Sequence, residues 1–396
     1  MLTHETDLLA PAVVQDPYPA FAVLREQQPV HWNSGWKGWV IADYRSAKTV
    51  LRDASSFSVR RLPVARETDP AVQRLIAAMG RWLSFREDAA HKELRRWLGS
   101  YVRHPEKGAI DAVVENCAAE LAAEVAASRT PIDFAATFSS KLSNAVICKV
   151  LGTPREDWPM LARWAQELKP VVHSDPLDSE RFVRAAATFG EILSYTTERT
   201  GHASREHESL FAALAARKDL DNFERAAMVT EWIFGGNETT ASALSSAMTC
   251  LVKGPVSDDD LAGNDDLLSR VCEEVLRFEP PLKSTARVAV NSTAIGGVEI
   301  AEGDRILILI GAANRDPAMF EHPDIFDPGR PNNAVNLTFG FGPHFCLGAH
   351  LARLELSHAV RQLATRGVFH RTMIHRVHWI RSIVSRSAEH LEVSVN

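Results

Sequence analysis

The chain has 396 residues, 45% hydrophobic and 24% charged, the make-up of a folded globular protein with a substantial core. A formal net charge of -6 argues against a general nucleic-acid binder and leaves small-molecule partners open. The opening MLTHETDLLA has no basic start or long apolar run, and no segment approaches about 18 consecutive apolar residues. Neither a secretory leader nor a membrane span is expected, and the cytoplasm is the default compartment.

In chain order, Ile110, Val113, Val114, Cys117, Leu121 and Val125 recur at helical spacing and predict a helix over 110–128. A longer helical stretch runs from Phe223 to Val252 and stops at Lys253-Gly254-Pro255. Another spans Asp266–Arg277 ahead of Pro280-Pro281, and a fourth spans Leu347–Arg366. Between these two, residues 286–310 alternate short apolar runs with Gly296-Gly297 and Gly303-Asp304, which reads as strands and turns. A second small strand set is expected over His378–Val395. The polar stretches 173–180, 200–208 and 257–266 read as loops, the last an acidic solvated turn. With no repeat and no linker, the expectation is one mainly α domain over 1–396 with a minor β portion.

Five cysteines, Cys117, Cys148, Cys250, Cys272 and Cys346, form no C-x-x-C pair, and their number is odd. Neither a zinc knuckle nor a disulfide framework follows. The first four lie in apolar helical contexts and read as buried structural thiols. Cys346 instead lies in FGFGPHFCLGAHLARLE, where Gly340, Gly342 and Gly348 let the backbone approach a flat ligand. It is expected to open a helix, whose amides and dipole favour a thiolate, a ligand for a soft or redox-active metal. A lone cysteine with two glycines would equally be structural. The whole pattern F-G-x-G-x-H-x-C-x-G, carried by Phe339, Gly340, Gly342, His344, Cys346 and Gly348, resembles the haem-binding signature of the cytochrome P450 family.

That resemblance implies a single, largely helical domain with small β-sheets around a buried haem b, with Cys346 as the iron ligand. A thiolate there pushes electron density onto the iron and favours O–O cleavage. It places His344 near a haem propionate and Phe339 against the proximal face. Glu274 and Arg277 match the family's E-x-x-R; three residues apart, they share a helix face. By resemblance Arg330 completes a buried ion network that holds the cysteine loop. His91 and Arg95, four apart and so on one helix face, suit a carboxylate and match a propionate-binding pair. Arg287 matches a further propionate-binding arginine.

Within the long helix, residues 235–240 read GGNETT. Two glycines in a helix centre cost about 1 kcal/mol each relative to alanine, so such a helix has something to accommodate. A threonine hydroxyl can disturb the local ladder and hold water. Alone, the segment reads as a kinked core helix. The resemblance assigns Gly235 and Gly236 to the haem face, and Glu238 and Thr239 to an acid–alcohol pair that delivers protons. Thr240 is a weaker candidate, and Gly235 stands where alanine is commoner in the family.

The implied activity is monooxygenation of a small organic substrate, with electrons from a ferredoxin-type donor and its NAD(P)H reductase. The alternatives are a peroxide-dependent or isomerising haem-thiolate enzyme and a non-catalytic haem gas sensor or carrier. No nucleic-acid or membrane partner is expected. By resemblance the pocket walls include Trp82 and Leu83, residues 168–172, Ile233, and Lys283 with Ser284. Lys283 stands where a neutral residue is more usual: it either recognises an acidic substrate or is turned outward. Arg60 and Arg61 read as a solvated loop.

Overall fold

Apolar residues on both sides of a short strand, Ile306 and Ile308 against Leu307, organise the largest sheet. The computed structural model describes residues 6–60, 69–102, 107–169, 171, 179–202 and 209–396. They fall into two compact units, one of residues 1–61, 118–139 and 239–396, the other of residues 62–117 and 140–238. Helices dominate, joined by three small sheets. No helix among the described residues is long and apolar enough to cross a membrane.

In the first unit, β1 (Val30–Asn33), β2 (Gly38–Ile41), β3 (Phe57–Ser58), β5 (Thr285–Ala289) and β8 (Arg305–Ile308) form one sheet in the order β1-β2-β8-β5-β3. Only β2 and β8 run parallel, pairing Trp39 with Ile306 and Ile41 with Ile308. Ile41, Ile306 and Ile308 pack on Tyr44, Ala47 and Val50 of the helix Tyr44–Arg52. Val40 and Leu307 pack on Tyr18, Phe21 and Leu24 from the opposite face. A sheet covered on both sides needs such continuous apolar runs. The strands β4 (Ile132–Asp133), β9 (Thr372–Trp379) and β10 (Ala388–Val395) form a second sheet, and β6 (Thr293–Ile295) with β7 (Val298–Ile300) a third.

The helical periodicities correspond to Lys107–Ala127, Asn222–Leu251, Asp265–Phe278 and Ala349–Ala364. The acidic stretch 257–266, expected as a loop, is instead helical over Asp258–Gly263 and again from Asp265. Ser257 and Asn264 cap these helices by accepting the amides of Asp260 and Leu267. Aspartates in a first helical turn complement the positive helix end, so acidity here marks helix starts. Ser179, Glu180, Thr200 and Gly201, also read into loops, belong to the helix Ser179–Gly201. Residues 173–178 and 203–208 lie outside the described residues.

An ion network links the helix Asp265–Phe278 to the chain that follows it. Glu274 and Arg277 are fully buried and paired, Nε to Oε2 at 2.8 Å and Nη2 to Oε1 at 2.7 Å. Arg330 reaches Glu274 Oε1 at 3.4 Å, and the Asp327 amide donates to the same oxygen at 2.9 Å. Arg277 Nη1 also donates to the carbonyls of Asn314 and Pro323. Asn314 in turn accepts the Leu337 amide and donates to Thr338, whose hydroxyl returns to the Leu276 carbonyl. Residues 337 and 338 are thereby fixed just before Phe339. We expect Glu274→Ala, which strands two buried guanidinium groups, to lower stability by about 3–5 kcal/mol in urea unfolding. An unfolding midpoint unchanged from the parent protein would refute this.

Candidate active site

In the first unit the cysteine loop is shaped by two glycines. Gly340 and Gly342 have φ of +73° and +78°, where residues with side chains are strained. A Cβ on Gly342 would also lie 2.9 Å from Arg52 Cα and from the Leu51 carbonyl oxygen. The Cys346 amide donates to the Phe339 carbonyl at 2.8 Å, closing the loop. Cys346 does not itself open the helix: Gly348 is the N-cap and Ala349 the first helical residue. Of the five cysteines, Cys346 alone is exposed. Burial pushes the thiols of Cys250 and Cys272 up, and that of Cys148 up to about 12, as expected for structural thiols.

The loop is braced from both sides. Arg353, one turn into the following helix, pairs with Glu273 and stacks its guanidinium 4.4 Å from the Phe339 ring centre. Phe339 is half-buried and its ring centre lies 6.3 Å from that of Phe345. His344 is half-buried in a short 3₁₀ turn. On β5, Arg287 is 6% exposed, and its Nη1 donates to the Ala286 carbonyl.

Lys283 is not turned outward to solvent; it is 3% exposed. Burial, with the nearby Arg386 charge, pushes its ammonium down to about 7, and Glu279 opposes this. Glu279 is itself engaged by the Tyr18 hydroxyl and Arg386 Nε, each at 3.0 Å. Ser284 is fully buried and donates to the Ile383 carbonyl at 2.9 Å.

The second unit carries His91 and Arg95 on the helix Ala89–Val102, His91 buried and Arg95 half-buried. Burial and then the Arg95 charge push the His91 imidazole below its usual range. An anion beside the pair would relieve that repulsion. Trp82, Leu83 and Ile233 are buried, and the Trp82 ring is stacked on Phe234 at 5.8 Å. Arg60 is exposed, whereas Arg61 and Val172 lie outside the described residues.

The two glycines of the long helix differ. A Cβ on Gly236 would lie 2.3 Å from Ile147 Cδ1 on the helix Ser140–Leu151, so that position is fixed by close packing. A Cβ on Gly235 would meet nothing within 4 Å, and Gly235 is exposed although Ile233, Asn237 and Glu238 beside it are buried. Glu238 is 3% exposed and pairs with Lys169 Nζ at 2.8 Å. Thr239 is half-buried and Thr240 buried.

Sequence reasoning missed Lys169, Asn314 and Thr338 as individual residues. Lys169 stood within a stretch, 168–172, read only as pocket wall. Nothing local distinguishes a lysine that meets a distant carboxylate from one in solvent.

Among the described residues no group of three or more His, Cys, Asp or Glu side chains is placed to hold a metal ion. The glycine-shaped loop around the exposed Cys346 suits a flat macrocycle.

The family model described as Cytochrome P450 matches residues 30–364. The chain is 30% identical to a biotin biosynthesis cytochrome P450 of Bacillus subtilis over 360 residues, 89% of each chain. It is 31% identical to nocardicin C N-oxygenase of Nocardia uniformis, again over 89% of each. The crystal structure of P450BioI, in complex with hexadec-9Z-enoic acid ligated acyl carrier protein, matches with a TM-score of 0.87 and 27% identity. That match covers 97% of this chain and 99% of the other. The chain belongs to the cytochrome P450 family and is a monooxygenase of the fold that binds haem b.

Proposed function

We propose that the chain, acting as one catalytic domain in the cytoplasm, hydroxylates a small organic acid with electrons from a ferredoxin-type donor and its NAD(P)H reductase. The observation that carries this reading is a buried carboxylate, Glu238, followed in mid-helix by Thr239 and preceded three residues earlier by a glycine facing open space. Haem b, when bound, supplies O₂ activation. The overall reaction takes one substrate C–H bond, O₂, two electrons and two protons to an alcohol and water.

The chain's own residues then divide the work. With haem bound, Cys346 would ligate the iron through its sulfur, with Phe339 and Gly348 beside it and His344 available to a propionate. With haem bound, Arg287, His91 and Arg95 would hold the propionates by charge-assisted hydrogen bonds. Glu238 and Thr239 bring in the two protons where bulk water would deliver them without control. Lys169 holds the Glu238 carboxylate at 2.8 Å, so proton transfer from that carboxyl requires the pair to open.

Lys283 supports the acidic substrate. Its charge is disfavoured where it stands, and a ligand carboxylate would restore it. A second reading follows from the P450BioI complex with an acyl-loaded carrier protein. A tethered acyl chain has no free carboxylate, so it gains nothing from Lys283.

Turnover with a ferredoxin and its reductase, compared with peroxide-supported turnover, tests the reading; product from peroxide with none from the ferredoxin system would overturn it. The reduced protein should show a thiolate-type carbon monoxide band that Cys346→Ser abolishes; a histidine-type band in the parent protein would reject the ligand assignment. We expect Thr239→Ala to keep that band yet lower product per NAD(P)H by about tenfold or more, the electrons appearing as hydrogen peroxide. Unchanged coupling would remove Thr239 from the relay.

The lowered Lys283 value also has a stability consequence. Between about 7 and the ordinary 10.5 the unfolded chain binds more protons than the folded one, so stability rises with pH across that window. The burial penalty is largest below pH 7. Lys283→Met should therefore stabilise the protein most at acidic pH, with the advantage fading toward pH 10.5. A pH-independent difference in urea midpoint would contradict this.

A further inference from the structure

One carboxylate on the long helix has no part in the proton relay. Glu231 precedes Gly235 by four residues and Glu238 by seven, so all three share a helix face. Its two oxygens accept adjacent backbone amides from the turn that follows the helix Pro70–Met79. The Leu83 amide donates to Oε2 at 2.7 Å and the Ser84 amide to Oε1 at 2.9 Å. Burial pushes this carboxyl above its usual range, while the two amides act in the other direction. Those hydrogen bonds are its compensation for leaving water.

The clamped turn holds an aromatic stack. Trp82 is 1% exposed, with its ring centre 5.9 Å from Phe85 within the turn and 5.8 Å from Phe234 on the long helix, both nearly parallel. The Phe85 amide donates to the Trp82 carbonyl at 3.0 Å, which keeps the turn tight. The turn and the helix are therefore joined twice, by a bidentate carboxylate and by stacked rings. Stacking fixes the separation of two surfaces but lets them slide. Two amides on one carboxylate fix the register, because both lengths must be kept at once.

We propose that Glu231 is the positioning residue that locks the 82–85 turn to the long helix and so sets which substrates the pocket admits. It acts through Trp82 and Leu83 and takes no part in haem ligation or proton delivery. The inference rests on the reading of Trp82 and Leu83 as pocket wall.

The test uses the full-length, haem-loaded protein and needs no knowledge of the natural substrate. Two probes ligate the haem iron through the same imidazole and differ only in bulk: imidazole, and 4-phenylimidazole, which adds a phenyl ring. Their dissociation constants are measured by spectral titration in the parent, Glu231→Ala and Glu231→Gln proteins. Amide hydrogen exchange is followed in peptides covering residues 82–85. Glu231→Ala should speed exchange at Leu83 and Ser84 at least about tenfold, and should shift the 4-phenylimidazole-to-imidazole affinity ratio about tenfold. Glu231→Gln, which keeps one acceptor oxygen, should fall between. The carbon monoxide band should be unchanged in all three.

Faster exchange with an unaltered affinity ratio would overturn the proposal, because the clamp would then exist without shaping the pocket. Unaltered exchange would overturn it as well. If Glu231→Ala does not fold, Glu231→Gln alone decides by the same two readouts. Loss of the thiolate band in the parent protein would instead count against the haem-thiolate reading, separately from the clamp.

Discussion

The carboxylate of Glu274 is shared by Arg277, Arg330 and the Asp327 amide with no solvent to replace them, and the cysteine loop inherits its position from that arrangement. Buried ion pairs contribute little net stability over a well-packed apolar core, but removing one partner is costly. Here the gain is positional. From Arg277 the connections run to Asn314, then to Leu337 and Thr338, and return to the same helix at the Leu276 carbonyl. The neighbouring Glu273 holds Arg353 beyond the cysteine and Asn336 before it. One helical turn therefore anchors both ends of the loop that presents the sulfur. The loop glycines supply the backbone shape, and this turn supplies the address.

How far the sequence predicts these features depends on their range. The helices and strands follow from periodicity and from Pro and Gly stops, because those signals are local. Glu274 with Arg277, or His91 with Arg95, can be paired because residues three or four apart meet on any helix. The acidic stretch 257–266 misleads for an equally local reason: polar, charged residues serve both a solvated turn and a helix start, and only the capping by Ser257 and Asn264 separates the two. The fold family and its cofactor were readable from one dense motif around Cys346. Lys169 against Glu238, and Glu231 against Leu83 and Ser84, join residues far apart in sequence. No spacing rule reaches them.

Charge placement in the two units follows a common logic. Carboxylates are matched by paired donors at the buried Glu274 and the half-buried Glu231, and Lys169 pairs with the buried Glu238. The first two arrangements fix geometry. The third, with a half-exposed partner on a flexible side chain, is the easiest to undo. Lys283 presents the opposite case, a buried cation whose neighbouring anion is already engaged by Tyr18 and Arg386.

The contrast between Gly235 and Gly236 bears on how the protein could change. Alanine at 236 would meet the Ile147 side chain, which must shift to admit it. Alanine at 235 touches nothing, and by helix propensity it would strengthen the helix by about 1 kcal/mol. Folding of the bare chain therefore does not account for glycine at 235. A selection for thermal stability without cofactor would drift toward a side chain at 235, giving a sturdier helix with less room beside it. For this position, helix strength and open space are competing demands.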